Sequence, residues 1–159
     1  MKGNEKLITV LNSLLADELT AINQYMVHSE MCENWGYGKL HKAIRSQAMD
    51  EMHHAEWLIE RILFFEGVPT VSKLNPMKIG KTVQEMISND NGDELDAVHA
   101  YNDAIKLAHE VDDQGTVELL TKILKMEEGH VDWAEIQRTL IDQMGLEIYL
   151  VSQIENLSS

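Results

Sequence analysis

Adding 76 to a residue number in the first half of this 159-residue chain returns the same chemistry in the second half. Asp17-Glu18-Leu19 becomes Asp93-Glu94-Leu95, Ala21 becomes Ala97, and Tyr25 becomes Tyr101. Further along, Glu51-x-x-His54 becomes Glu127-x-x-His130, and Trp57 becomes Trp133. The interval of 33 residues from Glu18 to Glu51 recurs from Glu94 to Glu127. A chain with this echo has to bring two equivalent units together. The pattern suggests two helical hairpins about a pseudo-twofold axis, with both polar sets at one central location.

The chain has 9 Gly and 2 Pro, clustered at a few places, whereas a sandwich or barrel needs turn residues at regular short intervals. An all-α fold follows, with helices expected at about 5–34, 38–65, 83–111, 116–144 and a short 146–156. Thr82 followed by Glu85 has the form of a capping box at the start of the third helix. Short turns after the first and third helices make those neighbours antiparallel. Segment 66–82, with Pro69 and Pro76, is too long for a tight turn. A helix of about 28 residues is about 42 Å long, and an extended strap of about 16 residues reaches about 53 Å. The strap can return along the bundle, so that helices two and three run parallel. One long crossover in a four-helix bundle is the ferritin-like connectivity.

Apolar residues recur at steps of three and four, which gives each helix one buried stripe. The acidic residues continue those stripes. In the first helix the seam reads Leu11, Leu14, Glu18, Ala21, Tyr25. Glu51 and His54 lie between Ile44 and Leu58, Glu94 between Ile87 and Ala97, and Glu127 and His130 between Ile123 and Ala134. Four carboxylates therefore converge on a core. Ionised carboxylates are rarely buried unless paired or coordinated, and like charges close together push one another towards protonation. Two divalent cations resolve the conflict, because their charge balances four carboxylates while neutral imidazoles add coordination. A Glu and a His at i,i+3 address one metal from a single helix face. Oxygen and nitrogen donors favour Fe or Mn, with Zn open on ligand type alone. Tyr25 and Tyr101 read as core aromatics with satisfied hydroxyls, not as redox groups.

Charge and cysteine use narrow the function classes. Thirteen Lys+Arg against 27 Asp+Glu leave a net charge of −14, which argues against nucleic acid as a partner and for a soluble acidic protein or a cation handler. The lone Cys32 makes no internal disulfide, and no Cys pair exists to hold zinc or a rubredoxin-type iron centre. Apolar runs such as Ile62-Leu63-Phe64-Phe65 fall far short of the roughly 20 residues that cross a bilayer. The opening Leu7 to Ala16, broken by Asn12 and Ser13, lacks the form of a signal peptide. A cytoplasmic protein with no membrane partner is expected.

With those six residues in place, the chain resembles the bacterioferritins from its first residue to about residue 155. Beside the metal set, the resemblance rests on Met1-Lys2-Gly3, Ala21-Ile22-Asn23-Gln24-Tyr25, Asn34-Trp35-Gly36, and Asp50-Glu51-Met52 with His54-Ala55. Ile59-Glu60-Arg61-Ile62-Leu63, Glu127-Glu128-Gly129-His130 and Gln143-Met144-Gly145-Leu146 complete it. It implies a single ferritin-like diiron domain over 1–159, a four-helix bundle with one long crossover and a short fifth helix. It also implies a ferroxidase centre with Glu18, Glu51 and His54 at one iron and Glu94, Glu127 and His130 at the other, Glu51 and Glu127 bridging. The two irons would reduce O2 or H2O2, and the ferric mineral would be stored in a hollow shell of twenty-four copies. The last helix, with Leu146, Tyr149, Leu150 and Ile154, would pack near the fourfold axes.

Met52 separates haem-carrying from haem-free members. It lies about 100° around the helix from Glu51, on the side away from His54. In the family two such methionines from twofold-related subunits ligate one haem b, which carries electrons to the mineral from a ferredoxin-type partner. Leu19, Ile22, Asn23 and Met26 occupy the adjacent face of the first helix. Packing at a dimer interface accounts for Met52 and that stripe equally well. A haem-free bacterial ferritin is therefore the alternative within the storage class, and a diiron oxidase or peroxidase of rubrerythrin type a more distant one. Ser46 stands where some members have a histidine that joins Asp50 in an iron site on the inner surface, so that auxiliary site is in doubt. His53 reads as solvated or interfacial, Cys32 as structural, and His28, His41, His99 and His109 have no matching constellation.

Overall fold

A computed structural model describes residues 1–155 of the chain. Five helices form it: α1 (Glu5–Asn34), α2 (Gly38–Phe64), α3 (Val83–Glu110), α4 (Gln114–Met144) and α5 (Leu146–Ser152). Among the described residues there is no strand, and no helix is long and apolar enough to cross a membrane.

Side-chain caps fix three of the starts. Asn4 accepts from the Leu7 amide, Thr82 from the Glu85 amide and Asp113 from the Thr116 amide, each satisfying a donor that the first helical turn leaves free. The Thr82 cap differs from the expected box in one respect. Glu85 reaches back to the Lys81 amide at 2.7 Å instead of the Thr82 amide. Asp113 also explains why α4 begins at Gln114 and not at 116: the cap precedes Gly115, which the helix takes in. The α1–α2 turn uses Gly36 at φ 88°, and Gly145 at φ 81° separates α4 from α5, a left-handed backbone that a glycine adopts without steric cost. α5 is shorter than expected. It ends at Ser152, so Ile154 lies beyond it, and the expected end at residue 156 is outside the described residues.

α1 packs on α2 and α3 on α4, and the hairpins meet through α1–α3 and α2–α4 contacts. Cross-helix pairs give the directions. Tyr25 meets Glu94 and Tyr101 meets Glu18, so α1 and α3 are antiparallel. His54 meets Met126 and His130 meets Asp50, so α2 and α4 are antiparallel. Helices α2 and α3 therefore run parallel, joined by the long crossover.

The crossover is pinned to α1 rung by rung. Asn12 bonds the Val68 carbonyl and the Thr70 amide, Thr20 accepts from the Asn75 amide, Gln24 from the Lys78 amide, and His28 Nε2 from the Gly80 amide. Since Nε2 is the acceptor, the ring proton of His28 sits on Nδ1 and goes to Asp90 at 2.9–3.0 Å. Gln24 donates to both Asp90 and Asp93. His28, for which the sequence offered no partner, thus ties the strap to α1 and α3. At the other end Arg61 bonds Asp113 and Thr116, holding the end of α2 against the α3–α4 turn.

The apolar interior is in two parts. One cluster is built on Leu7, Leu11, Leu14, Leu58, Ile62 and Leu120. The other is built on Tyr25, Leu40, Ile44, Met86, Ile87 and Ile141. The acidic positions of the four long helices fall between them.

Candidate metal centre

Six polar side chains occupy that intervening layer. Glu18 comes from α1, Glu51 and His54 from α2, Glu94 from α3, and Glu127 and His130 from α4. None is more than 7 % exposed. One carboxylate oxygen or ring nitrogen from each of Glu18, Glu51, His54 and Glu127 lies within 4.8 Å of the others, and the same holds for Glu51, Glu94, Glu127 and His130. The two groups share Glu51 and Glu127, so the i,i+3 pairing on each helix places one carboxylate between the groups and one imidazole at an outer end.

Both imidazoles turn Nδ1 into the layer. His54 Nδ1 lies 3.0 Å from Glu127 Oε1, 3.5 Å from Glu18 and 3.7 Å from Glu51. His130 Nδ1 lies 3.0 Å from Glu51 Oε1, 3.2 Å from Glu94 and 3.7 Å from Glu127. The nearest approaches come from the opposite hairpin in both cases. Tyrosines make the same exchange: Tyr101 donates to Glu18 at 2.5 Å and Tyr25 donates to Glu94. Both hydroxyls are therefore satisfied, as the sequence suggested.

The hydrogen-bond inventory does not close. Glu18 Oε2, Glu51 Oε1, His54 Nδ1, Glu94 Oε2 and Glu127 Oε1 are buried with no hydrogen-bond partner. Buried polar atoms are otherwise almost always paired, and an unpaired one costs about 1–3 kcal/mol. Five such atoms, all aimed into one layer and all of hard or borderline donor type, fit a pair of divalent cations.

Electrostatics points the same way. Burial pushes the Glu51 carboxyl well above the usual carboxylate range, and Glu18 and Glu94 add to the push. Burial does the same to Glu127, aided by Glu18, Glu51 and Glu94. For Glu18 the cost of burial is outweighed by the neighbouring Glu51, His54 and Tyr101 groups, and its value is lowered. Burial also works against charging the imidazoles, but the facing carboxylates win. His54 is raised to about 9 by Glu127 and Glu18, and His130 to about 9 by Glu94, Glu127 and Asp50. Protons hold the places that cations would take.

A cavity of about 290 Å³ adjoins the layer. It reaches Glu18, Glu51, Glu94 and Glu127 and is rimmed by Asp17, Asp93, Asp96, Asn75 and Lys78. Asp17 and Asp93 are related by the 76-residue echo. The crossover covers both, through Asn75 to Asp17 at 2.7 Å and Lys78 to Asp93 at 3.0 Å. The mouth is acidic and leads to the carboxylates.

Met52 stands apart from the layer. It is 42 % exposed on the outside of α2, as its helical angle from Glu51 required. On α1, Leu19, Ile22 and Met26 are half-buried and Asn23 is exposed. Asp50 is engaged otherwise than in an inner-surface site: its Oδ2 lies 3.0 Å from His130 Nε2. His53 is exposed and stacks on Trp57. Sequence reasoning overlooked Met126, whose sulfur lies 3.3 Å from His54 Nε2. The signal was available, because position 126 is the echo of position 50.

A four-helix bundle with a single long crossover and a carboxylate–histidine layer at its centre defines the ferritin-like class, and the model of the ferritin-like domain matches residues 8–144. Curated relatives narrow the class. The chain is 40 % identical over 149 residues to the bacterioferritin of Brucella melitensis biotype 1, covering 94 % of this chain and 92 % of that one. It is 42 % identical over 145 residues to the bacterioferritin of Rhodobacter capsulatus, covering 91 % and 90 %. With the bacterioferritin of Mycolicibacterium paratuberculosis it shares 39 % identity over 149 residues, 94 % of each chain. The chain belongs to the bacterioferritin family.

Proposed function

We propose that the chain is the subunit of an iron store and a ferroxidase, one diiron domain over residues 1–159 that oxidises Fe2+ at the buried layer and keeps ferric mineral in a hollow shell of twenty-four copies. The observation that carries this reading is the pair of four-member donor groups sharing Glu51 and Glu127, with five orphaned buried atoms between two dry clusters.

Glu18 and His54 would hold one ion, Glu94 and His130 the other, and Glu51 and Glu127 would bridge. When bound, two ferrous ions supply two electrons to one molecule of O2 or H2O2. The chain supplies the rest. Asp17 and Asp93 at the cavity rim draw cations towards the layer. Tyr101 and Tyr25 fix the terminal carboxylates Glu18 and Glu94, which keeps the donors in place before a metal arrives. His54 and His130 give up their Nδ1 protons on loading and become neutral ligands. The two apolar clusters exclude water from either side of the layer.

The exposed Met52 thioether on α2, together with the half-buried stripe of Leu19, Ile22 and Met26 on α1, suits half of a haem-binding site completed by the same residue of a twofold-related copy. Two such thioethers would hold haem b, which would supply redox chemistry that favours reduced iron, with a ferredoxin-type reductant as the electron source for the mineral. A cytoplasmic setting agrees with a buried, free Cys32.

The test is one preparation expressed with haem supply. Light scattering should return the mass of twenty-four copies of the 18.1 kDa chain. Anaerobic Fe2+ followed by air should give a fast rise in ferric absorption, which Glu18→Ala and Glu127→Ala abolish. A Soret band present in the parent and absent in Met52→Leu, with the fast phase unchanged, supports the haem site. Its absence from the parent makes the protein a haem-free ferritin. Metal uptake with no burst of O2 or H2O2 consumption refutes the ferroxidase.

A further inference from the structure

The echo that builds the metal layer fails at one pair of positions that touch it: Asp50 is answered by Met126. Both residues do the same job in the fold. Each lies across the α2–α4 contact, against the outer nitrogen of the histidine on the opposite hairpin. Asp50 Oδ2 is 3.0 Å from His130 Nε2, and Met126 Sδ is 3.3 Å from His54 Nε2.

A histidine that binds metal through Nδ1 must carry its remaining proton on Nε2 and give it to an acceptor. Carboxylates are among the usual acceptors, and they fix the ring and make it a better ligand. A thioether is a weak acceptor. Water offers His54 no alternative, since its side chain is 0 % exposed. Nothing else in the two donor groups compensates. The terminal carboxylates are matched, each with one tyrosine, and the bridging carboxylates are shared. The Glu94–His130 end also has one more negative charge beside it than the Glu18–His54 end.

We infer that the two metal positions are unequal by construction, the Glu94–His130 position filling first and the Glu18–His54 position being weakened by Met126. Asp50 and Met126 are positioning residues, acting through the imidazoles they hold. The inference rests on reading the six side chains as a two-ion site. Loss of a carboxylate partner behind a metal-bound histidine costs about 10–100-fold in affinity, and that is the expected gap between the two steps.

Anaerobic titration of the full-length protein with Co2+, followed by its visible absorption and by calorimetry, reads both steps without any redox turnover. The parent should bind two ions per chain in two steps about 10–100-fold apart. Diffraction at one equivalent should place the cobalt at His130. Met126→Asp should tighten the second step and close the gap. Asp50→Asn, which keeps the size of a side chain that is already 36 % exposed, should weaken the first step alone, and it serves if Met126→Asp does not fold. Two equal steps in the parent, first occupancy at His54, or an unchanged first step in Asp50→Asn would overturn the inference while leaving the two-ion reading intact. Failure to bind two ions at all would overturn both.

Discussion

Loading the metal layer should expel protons, and the geometry sets how many. At about pH 7 a group titrating two units higher is about 99 % protonated, so His54 and His130, both at about 9, carry their protons. Glu51 and Glu127 are pushed well above the carboxylate range by burial and by their neighbours. The four groups are not independent. A proton on Glu127 removes part of the negative charge that holds one on His54, so the set titrates as a unit and retains about two to four protons in the metal-free state. Ligation requires neutral imidazoles and ionised carboxylates. Two Co2+ ions per chain should therefore release about two to four protons, and the product of the two binding constants should rise about 10²- to 10⁴-fold per pH unit. A pH-stat titration in weakly buffered solution counts the protons directly, and calorimetry in two buffers of different ionisation enthalpy checks the count. Release of fewer than about one proton, with affinity flat between about pH 6 and pH 8, would refute the reasoning, because the layer would then hold bare carboxylates without either protons or cations.

The same groups give the metal-free protein an inverted stability profile. His54 and His130 titrate at about 9 in the fold against an ordinary 6.5, so what they contribute is complete below 6.5 and is lost as pH rises through about 9. Glu51 and Glu127 are raised well above 4.5, so what they contribute is likewise complete below 4.5 and is lost as pH rises. Thermal melts of chelator-treated protein should fall in Tm across that window, and metal-loaded protein should not; a rise in the metal-free series would count against the assignment. His28→Ala removes the acceptor for the Gly80 amide and one of the two donors to Asp90, which keeps Gln24, at about 1–3 kcal/mol for the buried amide left unpaired. Hydrogen exchange should show lost protection at Gly80 and Lys78 with α2 and α4 unaffected, and unchanged protection at Gly80 would show that the strap does not depend on this histidine.

What could be read from the sequence was whatever repeats at helical spacing. The seams placed Glu18, Glu51, Glu94 and Glu127 inward because each lies in line between apolar seam residues of its helix, such as Leu14 and Ala21 or Ile87 and Ala97, and the structure buries all four. The crossover and the antiparallel hairpins followed from lengths alone. Three things were not legible, each for a reason. His28 belongs to no pattern, because its partners are a backbone amide and an aspartate 62 residues away. The end of α5 was overestimated because its apolar residues continue to Ile154 while the backbone stops being helical at Ser152. Asp50 drew attention as half of an inner-surface site, although its position opposite His130 depends on the register of α2 against α4, which helical periodicity within one chain segment does not specify.

The closest contacts in the layer cross from one hairpin to the other: Tyr25 to Glu94, Tyr101 to Glu18, His54 to Glu127 and His130 to Glu51. Neither hairpin completes a donor group alone, since each group draws on Glu51 from one and Glu127 from the other. The arrangement is unfavourable for folding, because a polar layer divides a core that would otherwise be continuous, and leaves buried atoms unpaired. Local pattern and global fold disagree here, as they do where a site is held ready for a ligand. The compensation lies outside the layer. Rungs from Asn12 to His28 fasten the crossover along α1, and Arg61 locks the end of α2 to the α3–α4 turn. With both hairpins fixed at their margins, the carboxylates cannot relieve their repulsion by moving apart, which leaves two remedies: protons, which the layer holds when empty, and cations, which displace them.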